Sequence, residues 1–253
     1  MAAPINSSHV PRGRDLLGQT VLVIGGSSGI GLETARLARA RGADIILTAR
    51  NPDRLHRAGI ELGASIAAFD ATDFDRLERF FDALPAPIDH LLVTGPGPYY
   101  APLAEFDLDA ARRDVVAHLL LPLQVTKDAA SKVRPPGTLL FMGGTGGRRR
   151  PAVGLTLVAA LTVALPAMIK TLALEVAPVR VNLIAAGFVD TPLPASLLGD
   201  EIGKRREQLR ATLPIGRVVG PADIAALAVH LMTNTAVTGA TFDIDGGQQL
   251  IER

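Results

Sequence analysis

A single α/β domain, a doubly wound parallel sheet with helices on both faces, is what three features of the chain predict. Short apolar and β-branched runs alternate with helical patterns from residue 18 onward. Such alternation builds βαβ units whose parallel strands are covered on both sides. One run, Val21 to Ile24, passes straight into Gly25-Gly26-Ser27-Ser28-Gly29-Ile30-Gly31 and then into a helical pattern carrying Leu32, Ala35, Leu37 and Ala38. The 253 residues show no internal repeat, and a chain of this length suits one undivided domain of this class.

The glycine segment is the organising element. Strand, tight turn and helix N-terminus converge on one spot, where backbone amides and the helix dipole attract an anion. Glycine removes the side chains that would keep a pyrophosphate away from the backbone. The spacing Gly25-x-x-x-Gly29-x-Gly31 in a strand-turn-helix context therefore predicts a Rossmann-like dinucleotide site. A second strand over residues 43–48 ends in Ala49-Arg50-Asn51. An acidic residue at that point would hold the ribose 2′-hydroxyl of NAD, whereas an arginine accommodates the 2′-phosphate of NADP. Arg50 points to NADP(H); the alternative is an ordinary solvated arginine ahead of a helix.

The remaining elements follow in order. Residues 52–62 suit a short helix with Pro52 in its first turn. A third strand over 65–69 leads to Asp70-Ala71-Thr72-Asp73, where Thr72 or Asp73 can cap a helix over 74–84. A strand over 88–94 precedes Gly95-Pro96-Gly97-Pro98-Tyr99-Tyr100, and a long helical region spans 109–132 with Pro122 inside it. Strand 138–142 ends in Gly143-Gly144-Thr145-Gly146-Gly147 and the basic run Arg148-Arg149-Arg150, which reads as a solvated loop. An apolar helix over 152–176, a strand over 179–184 and a loop over 186–193 come next. A charged amphipathic segment over 196–213, a helix over 221–232 and a last strand over 241–244 complete the pattern.

Composition narrows the partners. A net charge of +1 gives no general attraction to nucleic acid or anionic membrane. The absence of cysteine excludes disulfides and thiolate metal sites and suits a reducing cytoplasm. The five histidines are scattered without ligand spacing, so no metal is expected. Residues 1–17, broken by Pro4, Pro11 and Gly13, read as a flexible lead-in ahead of a domain over 18–253. Residues 151–169 carry no charge and approach the length of a membrane span, but Pro166, Gly154 and threonines dilute them. A helix buried on most sides, in the core or a subunit contact, is the expectation.

Taken together, these segments resemble the short-chain dehydrogenase/reductase family from Gly18 to the C-terminus. The likeness rests on the glycine turn, on Asp70, and on Val93-Thr94-Gly95-Pro96-Gly97 in place of an Asn-Asn-Ala-Gly-like turn. It rests also on Val181-Asn182 through Gly187-Phe188-Val189-Asp190-Thr191-Pro192, and on Thr238-Gly239 through Ile244-Asp245-Gly246-Gly247. The resemblance implies that Gly25, Ser27, Ser28, Gly29, Ile30 and Gly31 hold the pyrophosphate and that Asp70 and Ala71 meet the adenine. It implies that Thr94, Gly95, Pro96 and Gly97 lie along the ribose, and that Gly187, Val189 and Thr191 face the nicotinamide. It also implies a homodimer or homotetramer built on the helices over 109–132 and 152–176.

The family's catalytic set does not carry over. Its members use a serine, a Tyr-x-x-x-Lys and an asparagine from the preceding helix. Here the two tyrosines are Tyr99 and Tyr100. Counting forward from the strand puts Leu157 and Leu161 at the Tyr and Lys positions; counting back from Glu175 puts Val158 and Thr162 there. The serine position falls on Gly144 or Thr145, and the asparagine position on His118. Three substitutes remain. His118 can donate a proton near neutral pH, or simply fill the asparagine's place as a hydrogen-bonded ring. Tyr99 or Tyr100 can reach a substrate from a loop at a strand C-terminus, or form a pocket wall. Thr145 can orient a carbonyl, or satisfy its own loop. The expected function is an NADP(H)-dependent oxidoreductase of a small carbonyl or alcohol with a non-standard proton donor. The alternative is an inactive NADP(H)-binding sensor or partner subunit.

Overall fold

Alternation along each strand decides which side of the sheet its residues cover. Val21 and Val23 of β1 (Thr20–Ile24) join one buried cluster, while Leu22 and Ile24 join the other. The computed structural model describes residues 15–85, 87–148 and 151–251. After β1 come α1 (Gly29–Ala40), β2 (Asp44–Ala49), α2 (Pro52–Leu62), β3 (Ser65–Ala68), α3 (Phe74–Asp82) and β4 (Ile88–Val93). The middle of the chain holds α4 (Leu108–Val115), α5 (Leu121–Ala129), β5 (Val133–Gly144), α6 (Thr156–Glu175) and β6 (Arg180–Ala186). It ends with α7 (Pro192–Leu198), α8 (Ile202–Thr212), α9 (Pro221–Thr233) and β7 (Thr241–Ile244).

The seven strands are parallel, in the order β3-β2-β1-β4-β5-β6-β7. Residues of α1, α2 and α9 pack on one face and residues of α3, α5 and α6 on the other. The order reverses between β1 and β4, and in open α/β sheets that reversal opens a crevice beyond the strand C-termini. The predicted doubly wound, Rossmann-like sheet is therefore the observed one. Local signals explain the helix starts. The Asn51 side chain accepts from the Arg54 amide at 2.8 Å with Pro52 behind it, and Asp73 accepts from the Arg76 amide at 3.1 Å.

Four expectations need correction. The helical region expected over 109–132 runs unbroken over 108–129, but with a π-helical turn, Val116–Leu120, between α4 and α5. Pro122 stands directly after this turn, as the second residue of α5. The strand expected over 138–142 runs from Val133 to Gly144 through Pro135, Pro136 and Gly137, and its register against β4 shifts between Ile88 and His90. The apolar helix begins at Thr156, after a turn in which Gly154 has φ +85°. It is buried on one face only. Val158, Leu161, Leu165, Ile169 and Leu172 face inward, while Ala160, Val163, Ala164, Ala167 and Leu174 are exposed. By length and composition alone α6 could cross a membrane, yet its inner face is core.

Residues 1–14 of the expected lead-in lie outside the described residues. Leu16 is fully buried and Asp15 pairs with Arg41 at 2.9 Å, so the packed domain reaches back past residue 18. Arg149 and Arg150 also lie outside the described residues, whereas Arg148 is largely buried and ion-paired with Asp243 of β7 rather than solvated.

Candidate functional site

The turn after β1 is held by contacts that leave no room for side chains. Gly25 has φ +85°, and a Cβ there would lie 2.1 Å from the Thr94 hydroxyl oxygen; one on Gly31 would lie 2.4 Å from the Gly25 carbonyl oxygen. Thr94 donates to the carbonyls of Ile24 and Gly25 at 3.1 and 3.2 Å, tying the end of β4 to the turn. The Gly25 and Gly26 amides bond Thr48 O at 2.8 and 3.1 Å. The first amides of α1, on Gly29, Ile30 and Gly31, precede the helix's own acceptors. Ser28 caps the helix without a side-chain bond, and no carboxylate sits in the first turn. This terminus is prepared for an anion.

A cleft of about 500 Å³ opens over this turn. Gly25, Ser27, Ser28, Gly29 and Ile30 line it, with Thr94, Gly95 and Pro96 opposite. One end is formed by Arg50, Asp70 and Ala71, joined by Asn51, Arg54 and Thr72. Asp70 accepts from the Thr72 amide at 3.0 Å and hydroxyl at 2.8 Å, while its other oxygen is 3.9 Å from the Arg50 guanidinium. Arg54, Arg112 and Arg113, which sequence reasoning did not single out, also line the cleft. The far end carries Thr191, Pro192 and Leu193. A Cβ on Gly97 would lie 3.2 Å from Leu193, so the loop after β4 meets the start of α7 there.

Gly31, Gly97, Gly187 and Val189 are not among the residues that line this cleft. Gly187 fits against Asp245, where a Cβ would come within 2.6 Å of that residue's own Cβ. Val189 is buried and pairs with Val219. A fork from Arg206 of α8 to Asp190, with contacts at 2.7 and 3.0 Å, fixes the segment between them.

The proton-donor candidates have different surroundings. The Tyr99 hydroxyl accepts from the Asp107 amide at 2.8 Å and contacts Glu105 O at 3.5 Å, so it holds its own loop. Thr145 is buried and its amide bonds Ala186 O at 3.1 Å. On α6, Val158 and Thr162 are among the residues that face the glycine turn after β5, with Ala159 against Gly147. The Thr162 hydroxyl donates to Gly146 O at 2.7 Å, and Val158 lies 3.7 Å from a Cβ built on Gly146.

His118 sits on the π turn. Its Nδ1 is 2.9 Å from Asp114 Oδ1 and 3.1 Å from Asp114 O, and its Nε2 is 3.2 Å from Pro96 O. Burial opposes the charged ring, but the hydrogen bond and charge of Asp114, with the two carbonyls, outweigh it and raise the imidazole above its ordinary value. Asp114 is 5% exposed. Its i, i+4 spacing from His118 was a readable signal that sequence reasoning passed over.

Residues 24–249 match the family described as enoyl-(acyl carrier protein) reductase. The short-chain dehydrogenase/reductase ATR9 of Stachybotrys chlorohalonatus is 31% identical over 248 residues, covering 91% of this chain and 96% of that protein. Among solved structures, the MalC reductase/Diels-Alderase of Malbranchea aurantiaca matches with a TM-score of 0.85 at 26% identity, covering 94% of this chain and 99% of that one. BdcA in complex with NADPH matches with a TM-score of 0.82 at 27% identity, covering 92% and 95%.

Proposed function

The chain belongs to the short-chain dehydrogenase/reductase family, and from that premise we propose an NADP(H)-dependent oxidoreductase of a small carbonyl or alcohol with a proton-donor site of its own. The observation that carries the reading is the cleft, in which free helix amides and two arginines line opposite parts of one groove. These residues fit a phosphorylated dinucleotide. The amides of Gly29, Ile30 and Gly31 would hold its pyrophosphate, Arg50 and Arg54 its 2′-phosphate, and Asp70 and Ala71 its adenine. Bound there, NADPH supplies a hydride.

Carbonyl reduction also needs a proton on oxygen, and general acid catalysis contributes typically about 10²–10⁴-fold. We read α6 as lacking the family's Tyr-x-x-x-Lys pair, with Val158 and Thr162 in its place. His118 then holds the transferable proton at Nε2, and Thr145 stands at the serine position. Tyr99 is committed to its loop and drops out of this role. A second reading, an inactive NADP(H)-binding sensor or partner subunit, is favoured by Thr162, whose hydroxyl is spent on Gly146 O.

The exposed apolar face of α6, with Leu120 and Leu123 beside the start of α5, supports a homodimer or homotetramer closed on these helices. Zero cysteines support a cytoplasmic site of action.

Calorimetric titration with NADPH, NADP⁺ and NADH tests the reading, followed by a panel of aldehydes and ketones with NADPH. Tighter binding of NADPH than NADH together with oxidation of NADPH by a carbonyl is the expected result. Binding without turnover across the panel supports the second reading. Failure to bind any of the three nucleotides overturns both.

A further inference from the structure

We propose that Asp114 is a positioning residue that keeps the His118 imidazole doubly protonated beside the nucleotide cleft. This deepens the reading of His118 as the proton source and rests on it for its catalytic meaning. Both ring nitrogens face oxygen atoms. Nδ1 meets Asp114 Oδ1 at 2.9 Å and Asp114 O at 3.1 Å, and Nε2 meets Pro96 O at 3.2 Å. All three are acceptors. A neutral imidazole has one N–H, so one nitrogen would present a lone pair to an oxygen lone pair; only the cation donates on both sides.

The carboxylate has the complementary need. Asp114 is 5% exposed, and its Oδ2 is buried without a hydrogen-bond partner. A buried carboxylate with an empty oxygen is costly unless a cation lies against it, and the His118 ring is the ionisable group in contact with it. The π turn Val116–Leu120 contains His118 and follows Asp114 by two residues, and π turns of this kind displace a helix locally at functional sites. It carries the ring to the Gly95-Pro96 wall, with Nε2 3.6 Å from a Cβ built on Gly95.

Neighbouring elements add no rival for the proton. From the loop after β4, Tyr100 has its phenol raised by burial and then by the Asp114 charge, so it stays neutral. Arg112, on α4 itself, is paired with Asp109, and Arg113 lines the cleft. α6, which packs on the π turn, carries no ionisable side chain from Thr156 to Ile169. Asp114 is thus the group that sets the His118 charge.

The test is NMR of the full chain with ¹⁵N-labelled histidine, using His118→Asn to assign the signal. At pH 6.5 both His118 nitrogens of the unaltered protein should carry protons. In Asp114→Asn the ring should titrate at lower pH, with about tenfold or more weaker proton affinity, while Asp114→Glu restores part of the shift. A neutral single tautomer at pH 6.5, or the same titration in Asp114→Asn, overturns the assignment. Should Asp114→Asn fail to fold, the tautomer of the unaltered protein decides alone. Turnover is read separately: if His118 titrates as stated but no carbonyl is reduced, the oxidoreductase reading fails and the positioning role of Asp114 stands. Where turnover occurs, the pH dependence of kcat should move to lower pH in Asp114→Asn with the NMR titration.

Discussion

Replacing Arg50 by alanine should remove the preference for NADPH over NADH without touching NADH itself. The Arg50 side chain is 68% exposed, and its nearest carboxylate oxygen, on Asp70, is 3.9 Å away. It is therefore a loosely paired cation in a largely aqueous corner. A hydrogen bond to a charged group contributes about 1.5–3 kcal/mol, and exposure and salt place this one near the lower end, at about 1.5–2 kcal/mol. Removing the guanidinium also leaves Asp70 uncompensated next to the 2′-phosphate, which adds up to about 1 kcal/mol at a separation near 4 Å in water. The sum, about 1.5–3 kcal/mol, is roughly a 12–150-fold rise in the NADPH Kd. NADH lacks the phosphate, so its Kd is an internal control for misfolding. Calorimetry at two salt concentrations gives both numbers, and the NADPH preference should shrink at the higher salt. Equal weakening of NADPH and NADH, or no change in either, would refute the assignment of Arg50 to the phosphate.

Other expectations concern the scaffold. Arg180 is 4% exposed and donates to the carbonyls of Pro136, Leu231, Met232, Asn234 and Val237, closing the C-terminus of α9 over β6. Arg180→Met strands several of these acceptors and should cost about 3–5 kcal/mol, seen as a fall in Tm of roughly 6–20 °C; a change under about 2 °C would show that water replaces the guanidinium freely. His90 is pushed down to about 3, from 6.5, by burial and then by the Arg180 charge. Its folded value lies below its unfolded one, so nothing is lost above pH 6.5. Below that the unfolded chain takes up the proton first, removing about 1.4 kcal/mol of stability per pH unit down to about pH 3. Urea unfolding of His90→Gln at pH 7, 5.5 and 4.5 should show a shallower acid loss than the unaltered protein. Val163→Glu puts a charge on the exposed apolar face of α6 and should shift the molar mass by light scattering from oligomer to monomer; an unaltered mass would move the contact elsewhere.

Sequence reasoning determined the elements whose causes are local. The α2 boundaries, Pro52–Leu62, match the expectation because Asn51, Pro52 and Gly63 punctuate that helix within a few residues. The glycine turn was equally legible, since strand, turn and helix are contiguous and the need for missing side chains is written in the spacing of Gly25, Gly29 and Gly31. Only the tertiary structure decided the rest. Whether α6 is buried depends on how many neighbours surround a helix, which an all-apolar pattern cannot encode because every face looks alike. The π turn between α4 and α5 lies inside an unbroken helical pattern, and nothing in the residues flanking Val116 announces it. The charge on His118 was legible only in part, since its i, i+4 spacing from Asp114 stands in the chain but its second acceptor does not. The charge is set by Asp114 and by the Pro96 carbonyl, 22 residues away, which folding brings within 3.2 Å of Nε2. Local signals persist in the chain itself, whereas a proton's position depends on which acceptors the packed molecule leaves around the ring.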